Sequence, residues 1–140
     1  MLLQITINNF ALIDKISISF FEGFNVLSGE TGAGKSILID AINYVMGSKF
    51  NKDLIRTGEE RTYVEAVFSI DSSKTKEIMK EMGIAEDNVV ILSRETFHNG
   101  RSISKINGKS TILSQLKEVS RTLLDIHGQH ENQSLLVQHP

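Results

Sequence analysis

A glycine-rich turn set between an apolar run and a long apolar helix restricts this chain more than any other feature. Gly29, Glu30, Thr31, Gly32, Ala33, Gly34, Lys35 and Ser36 read G-x-x-x-x-G-K-S, the Walker A form. Several backbone N–H groups can converge on phosphate oxygens only where no side chain blocks the approach, and Gly29, Gly32 and Gly34 meet that need. Lys35 supplies a cation for the terminal phosphates and Ser36 a hydroxyl for Mg²⁺, with Ile37 closing the binding segment. A helix that starts at this point directs the positive end of its dipole at the anion.

The flanks supply the context that the motif requires. Phe24 to Ser28 is a short, mostly apolar run that predicts a buried strand, and Ile37, Leu38, Ile39, Ala41, Ile42, Val45 and Met46 predict a helix buried between layers, capped by Gly47. Upstream, Leu3, Ile5 and Ile7 share one face and, in a second run after Asn8-Asn9, Ile16, Ile18 and Phe20 share one face, as an edge hairpin does. Downstream, Thr62 to Ile70 reads as a strand with Val64, Ala66, Phe68 and Ile70 on one face, and Ser72-Ser73 opens a short helix to Met82 that Gly83 ends. Val89 to Leu92 and Ser102 to Ile106 are further strands, with Asn99-Gly100 and Asn107-Gly108 as hairpin turns. Ser110 or Thr111 then caps a helix whose Ile112, Leu116, Val119 and Leu123 form one apolar stripe.

Composition excludes several alternatives. At 140 residues with 40% hydrophobic and 23% charged side chains, the chain suits one globular domain that needs no metal or disulfide to fold. The absence of cysteine removes disulfide frameworks and thiolate chemistry and fits a cytoplasmic setting. No basic leader precedes an apolar block, and no run approaches the roughly 18 apolar residues of a membrane span, so no membrane partner is expected. A net charge of -2 gives no global attraction to nucleic acid.

Beyond the phosphate loop, the segments Asp53-Leu54-Ile55-Arg56 with Gly58, Ile106-Asn107-Gly108-Lys109, and Asp125-Ile126-His127-Gly128-Gln129-His130-Glu131 stand out. Together with the Gly-Glu-Thr-Gly-Ala-Gly-Lys-Ser form of the loop, the chain resembles, over its whole length, the amino-terminal head segment of the RecN family, bacterial DNA-repair ATPases related to the SMC proteins. The resemblance implies an α/β P-loop NTPase of the ABC/SMC head type, residues 1-140 being its N-terminal lobe, with a mixed and antiparallel sheet around the phosphate-loop helix. It implies ATP and Mg²⁺ as cofactors, and Gln129 in the Q-loop, bridging Mg²⁺ and the attacking water. Arg56 falls where such heads place an arginine able to reach the nucleotide or DNA. His127, His130 and Glu131 also raise a metal site, but further ligands at regular spacing are missing and the Q-loop likeness accounts for the cluster.

Hydrolysis in this class also needs an aspartate after an apolar strand to hold Mg²⁺ through water, an adjacent glutamate to polarise the attacking water, and a signature loop from a second head. None is found: Val89 to Leu92 leads into Ser93-Arg94-Glu95, and Leu123-Leu124-Asp125 runs into the Q-loop. The resemblance puts those parts beyond a coiled coil, so the chain is expected to be a piece of a longer protein that binds but does not turn over ATP by itself. Its expected partners are the C-terminal half of its own head, a second head in a homodimer, and DNA through the full assembly at the bacterial nucleoid. Two other readings compete: a small-molecule phosphotransferase, which would follow its loop with βαβ repeats, and a non-catalytic nucleotide-sensing module.

Overall fold

The computed structural model describes residues 1–20, 32–85 and 87–125, with the backbone alone at 32–35 and 124–125. Alternating apolar positions build a six-stranded sheet: β1 Leu2–Phe10, β2 Ile13–Ser19, β3 Arg61–Ser69, β4 Val89–Phe97, β5 Ser102–Ile106 and β6 Lys109–Thr111. The strand order is β2-β1-β3-β4-β5-β6, and every described pair is antiparallel. Three helices complete the described chain: α1 Gly32–Val45, α2 Ser73–Glu81 and α3 Leu113–Asp125. The strand expected at Phe24 to Ser28 lies outside the described residues.

One face of the sheet is dry. Ile5 and Ile7 of β1, Val64, Ala66 and Phe68 of β3, Val90 and Leu92 of β4 and Ile106 of β5 are buried there. They share one core with Leu38, Ala41, Ile42 and Val45 of α1, Met79 of α2, and Leu116, Val119 and Leu123 of α3. Burial of this apolar surface, at about 25 cal/mol per Å², is the main force fixing the helices on the sheet. The other face is half-covered and more polar, with Tyr63, Glu65, Ser93 and Glu95 alternating against the core residues.

Three local expectations are corrected. The break between the two runs falls at Ala11-Leu12, beyond Asn8-Asn9: β1 continues through both asparagines, and Phe10 pairs with Ile13. Asn9 and Ala11 take φ of 55° each, which lets the strand end and the turn form without a glycine. A register shift between Leu2 and Gln4 opposite β3 places Leu2, rather than Leu3, in the core. Finally, Ser110 and Thr111 are drawn into β6 opposite Lys105 and Ser104, so neither caps α3. Ile112 takes the position before the helix and is 65% exposed; its N–H is satisfied by the Gln115 side chain at 3.2 Å.

Among the described residues two further expectations shift, β4 running on past Leu92 to Phe97 and Ile112 leaving the apolar stripe of α3, while the remaining elements stand close to their expected places. Ser72 caps α2, its hydroxyl accepting from Lys74 N at 3.1 Å, and Gly83 ends it at φ 76°. The turn Asn107-Gly108 has both residues at positive φ, 50° and 83°, as a two-residue hairpin requires.

Candidate nucleotide site

The helix begins inside the phosphate motif. α1 starts at Gly32, so Gly32, Ala33, Gly34 and Lys35 form its first turn, and that turn carries no acidic residue. The N–H groups that a helix start leaves without intrahelical partners therefore meet no carboxylate from their own turn, and the local charge favours an anion. Ser36 is exposed, Ile37 half-buried and Leu38 buried, so the helix passes from solvent into the core within two residues of the hydroxyl. Gly29, Glu30 and Thr31 lie outside the described residues, as do Gln129, His127, His130 and Glu131.

Arg56 follows a short 3-10 turn, Lys52–Leu54, whose start is capped by the Asn51 side chain accepting from Asp53 N at 2.9 Å. The segment is stitched to the end of β1: Ala11 N donates to Leu54 O at 2.6 Å, Arg56 N donates to Asn9 O at 2.9 Å, and Phe10 bridges Ile55. This fixes the Arg56 backbone. No hydrogen bond or ion pair joins its half-buried side chain to another described residue. An open cleft of about 520 Å³ lies nearby, lined by Gly58, Glu59, Glu60, His98 and Asn99. Its two glutamates make it a poor receptor for phosphate.

At the opposite end of α1 the structure places a residue that the sequence reading passed over. β4 runs on through Ser93, Arg94 and Glu95 to Phe97, and its inward alternation carries Arg94 into the core, 5% exposed. Arg94 Nη1 donates to Tyr44 O at 2.8 Å and to Ser48 O at 2.6 Å, both acceptors at the finish of α1, and its guanidinium lies 4.5 Å from the Tyr44 ring centre. Tyr44 in turn shares a 2.6 Å hydrogen bond with Thr96 and packs on Phe10 and Phe50, ring centres 5.6 and 4.9 Å away. Burial pushes the Tyr44 hydroxyl up to about 12, against the opposing pull of the Thr96 bond and the Arg94 charge. Burial likewise lowers Arg94 from its usual value, with Tyr44 opposing. The available signal was the continued alternation Val90, Leu92, Arg94, Thr96, which a strand ended at Leu92 conceals.

A helix-borne phosphate motif on an antiparallel sheet defines a class, and the comparisons give it a name. A family model described as an AAA domain matches residues 4–140, and the chain belongs to that family. Among solved structures, one of SMC ATPases, concerned with ATP-driven dimerisation and DNA-stimulated activation, superposes with a TM-score of 0.67 at 21% identity, covering 99% of this chain and 92% of that one. The SMC head domain from Thermotoga maritima gives 0.59 at 25% identity, over 84% and 41% of the two chains. The fold is that of a P-loop SMC-type head lobe.

More particularly, the sequence matches the amino-terminal head segment of the DNA repair protein RecN. It is 43% identical to RecN of Halalkalibacterium halodurans and 41% identical to that of Bacillus subtilis, each over 97% of this chain. The chain spans about a quarter of the length of these curated relatives, 24% in both.

Proposed function

We propose that this chain is the phosphate-holding half of an ATPase head that acts in DNA repair. The observation that carries the reading is the start of α1 within G-x-x-x-x-G-K-S, with an acid-free first turn. The donor set fits a nucleoside triphosphate with Mg²⁺. Of the motif Gly29 to Ser36, the glycines would leave room for backbone N–H groups to approach the phosphates, Lys35 would neutralise the terminal ones, the exposed Ser36 would offer its hydroxyl to the metal, and Ile37 would close the segment. Bound Mg²⁺ supplies charge neutralisation across the phosphates. Gln129 would orient the attacking water, and Arg56 would extend its guanidinium to nucleotide or DNA.

The aspartate–glutamate pair and signature loop that complete such a site are contributed by the C-terminal half of the head and by a second head. Binding closes the pair and turnover reopens it, which couples the cycle to broken DNA in the cytoplasm, at the nucleoid. The matches to RecN and the SMC-type fold support this reading over a small-molecule phosphotransferase, for which parallel βαβ repeats would be expected. The test is Mg-ATP binding by the full-length protein and its Lys35→Ala variant. A loss of at least tenfold in affinity is expected; equal affinities would remove the assignment.

A further inference from the structure

The finish of α1 is held in an unusual way. A helix C-terminus leaves four carbonyls without intrahelical partners and carries negative partial charge. Here α1 has no basic residue in its own last turn. The cation arrives from across the sheet: Arg94, 5% exposed, bridges Tyr44 O and Ser48 O through one nitrogen and covers the Tyr44 ring. No carboxylate pairs with it among the described residues, and its Nε is buried without a partner there. A lone buried guanidinium is costly unless its surroundings replace water. Carbonyl dipoles and an aromatic face do so only if Tyr44 and Ser48 stay in place, so the charge makes this end of the helix intolerant of displacement.

The same turn is pinned from the other side. Gly47, at φ 108°, lies against α3, and a Cβ built there would come 2.6 Å from Lys117 Cγ. α1 thus ends in a joint between β4 and α3, while its other end, about 20 Å away at 1.5 Å per residue, is the phosphate motif. α3 itself ends at Asp125, four residues before Gln129 in sequence.

We infer that Arg94 is a positioning residue for nucleotide binding: by fixing the C-terminal turn of α1 to β4, it sets where the helix presents Gly32 to Ser36. The inference rests on the phosphate-loop reading above. A rigid helix transmits a tilt at one end to the other, and phosphate recognition by converging N–H groups is lost with displacements near 1 Å. A residue that only filled the core would affect folding and leave the affinity of the folded fraction unchanged.

The experiment compares Mg-ATP affinity and thermal unfolding for the full-length protein and for Arg94→Met, Arg94→Lys, Thr75→Val and Lys35→Ala. Thr75 bonds Thr122 at 2.8 Å in the buried α2–α3 contact and serves as a destabilised control away from the joint. Arg94→Met is expected to weaken binding by tenfold or more in the folded protein. Arg94→Lys, which keeps the cation but not the planar group over the Tyr44 ring, should recover part of that loss. Thr75→Val should lower the melting temperature and leave affinity within twofold. Wild-type affinity in folded Arg94→Met, or an equal loss in Thr75→Val, overturns the inference. If Arg94→Met does not fold, Arg94→Lys decides, because unchanged affinity in it has the same meaning. Failure of Lys35→Ala to weaken binding would instead remove the phosphate-loop reading beneath it.

Discussion

Tyr44 and Tyr63 are the chain's two tyrosines, and both are held neutral above the usual range. Burial is the main cause for each, pushing each to about 12; at Tyr63 the Glu65 carboxylate, which accepts its hydrogen bond at 2.6 Å, adds to the effect. An unfolded tyrosine ionises near pH 10, so between about 10 and 12 the unfolded chain has lost protons that the folded one keeps. Stability supplied by these hydroxyls is complete below pH 10 and is lost as pH rises through the folded values. A phenolate absorbance titration followed alongside circular dichroism should therefore show no ionisation at pH 10 while the protein is folded. A midpoint at 10 with intact ellipticity would contradict the upward shift of both hydroxyls. Gly47 gives a second residue-scale expectation. At φ 108° against Lys117, Gly47→Ala combines backbone strain with a close approach. Although the Lys117 stem can shift, the dihedral cannot be relieved cheaply, so urea unfolding should show a loss of about 1–3 kcal/mol.

Among the elements, legibility followed periodicity and turn chemistry. Val64, Ala66 and Phe68 of β3 and the Asn107-Gly108 turn stand where their sequence patterns place them, because alternation and positive φ are local demands. The misplacements have tertiary causes. The apolar run of β4 stops at Leu92, and Ser93, Arg94 and Glu95 carry no apolar signal of their own, yet ladder pairing to both β3 and β5 carries the strand through them. Thr111 reads as a helix cap by local preference, but the pairing with Ser104 claims it for β6. The candidate site was legible for the same reason as the turns: the phosphate motif is a contiguous local pattern, whereas the Arg94–Tyr44 joint spans 50 positions. The β5–β6 hairpin supports a test of its own. Asn107 sits at φ 50°, and its side chain accepts from Ile91 N at 2.7 Å. Asn107→Ala should cost about 1–3 kcal/mol in urea unfolding, by leaving that donor unsatisfied and straining the turn. An unchanged midpoint would mean that the side-chain bond contributes nothing.

On the scale of the whole molecule, the described sheet, helices and joint form a frame that carries Gly32 to Ser36 at one end of α1, while α3 ends four residues before Gln129 in sequence. The chain spans 24% of its RecN relatives, and on the function proposed above the carboxylates that hydrolysis needs belong to the other half of the head. A half-site should hold nucleotide without cleaving it. The direct measurement is phosphate release from Mg-ATP by the purified 140-residue chain, at concentrations where binding is saturated, with Lys35→Ala as the control for contaminating activity. Saturable binding that Lys35→Ala abolishes, with phosphate release no faster than in that variant, is the expected result. Turnover by the wild-type chain that Lys35→Ala removes would mean that the chain carries a complete catalytic site, and the half-site reading would be wrong.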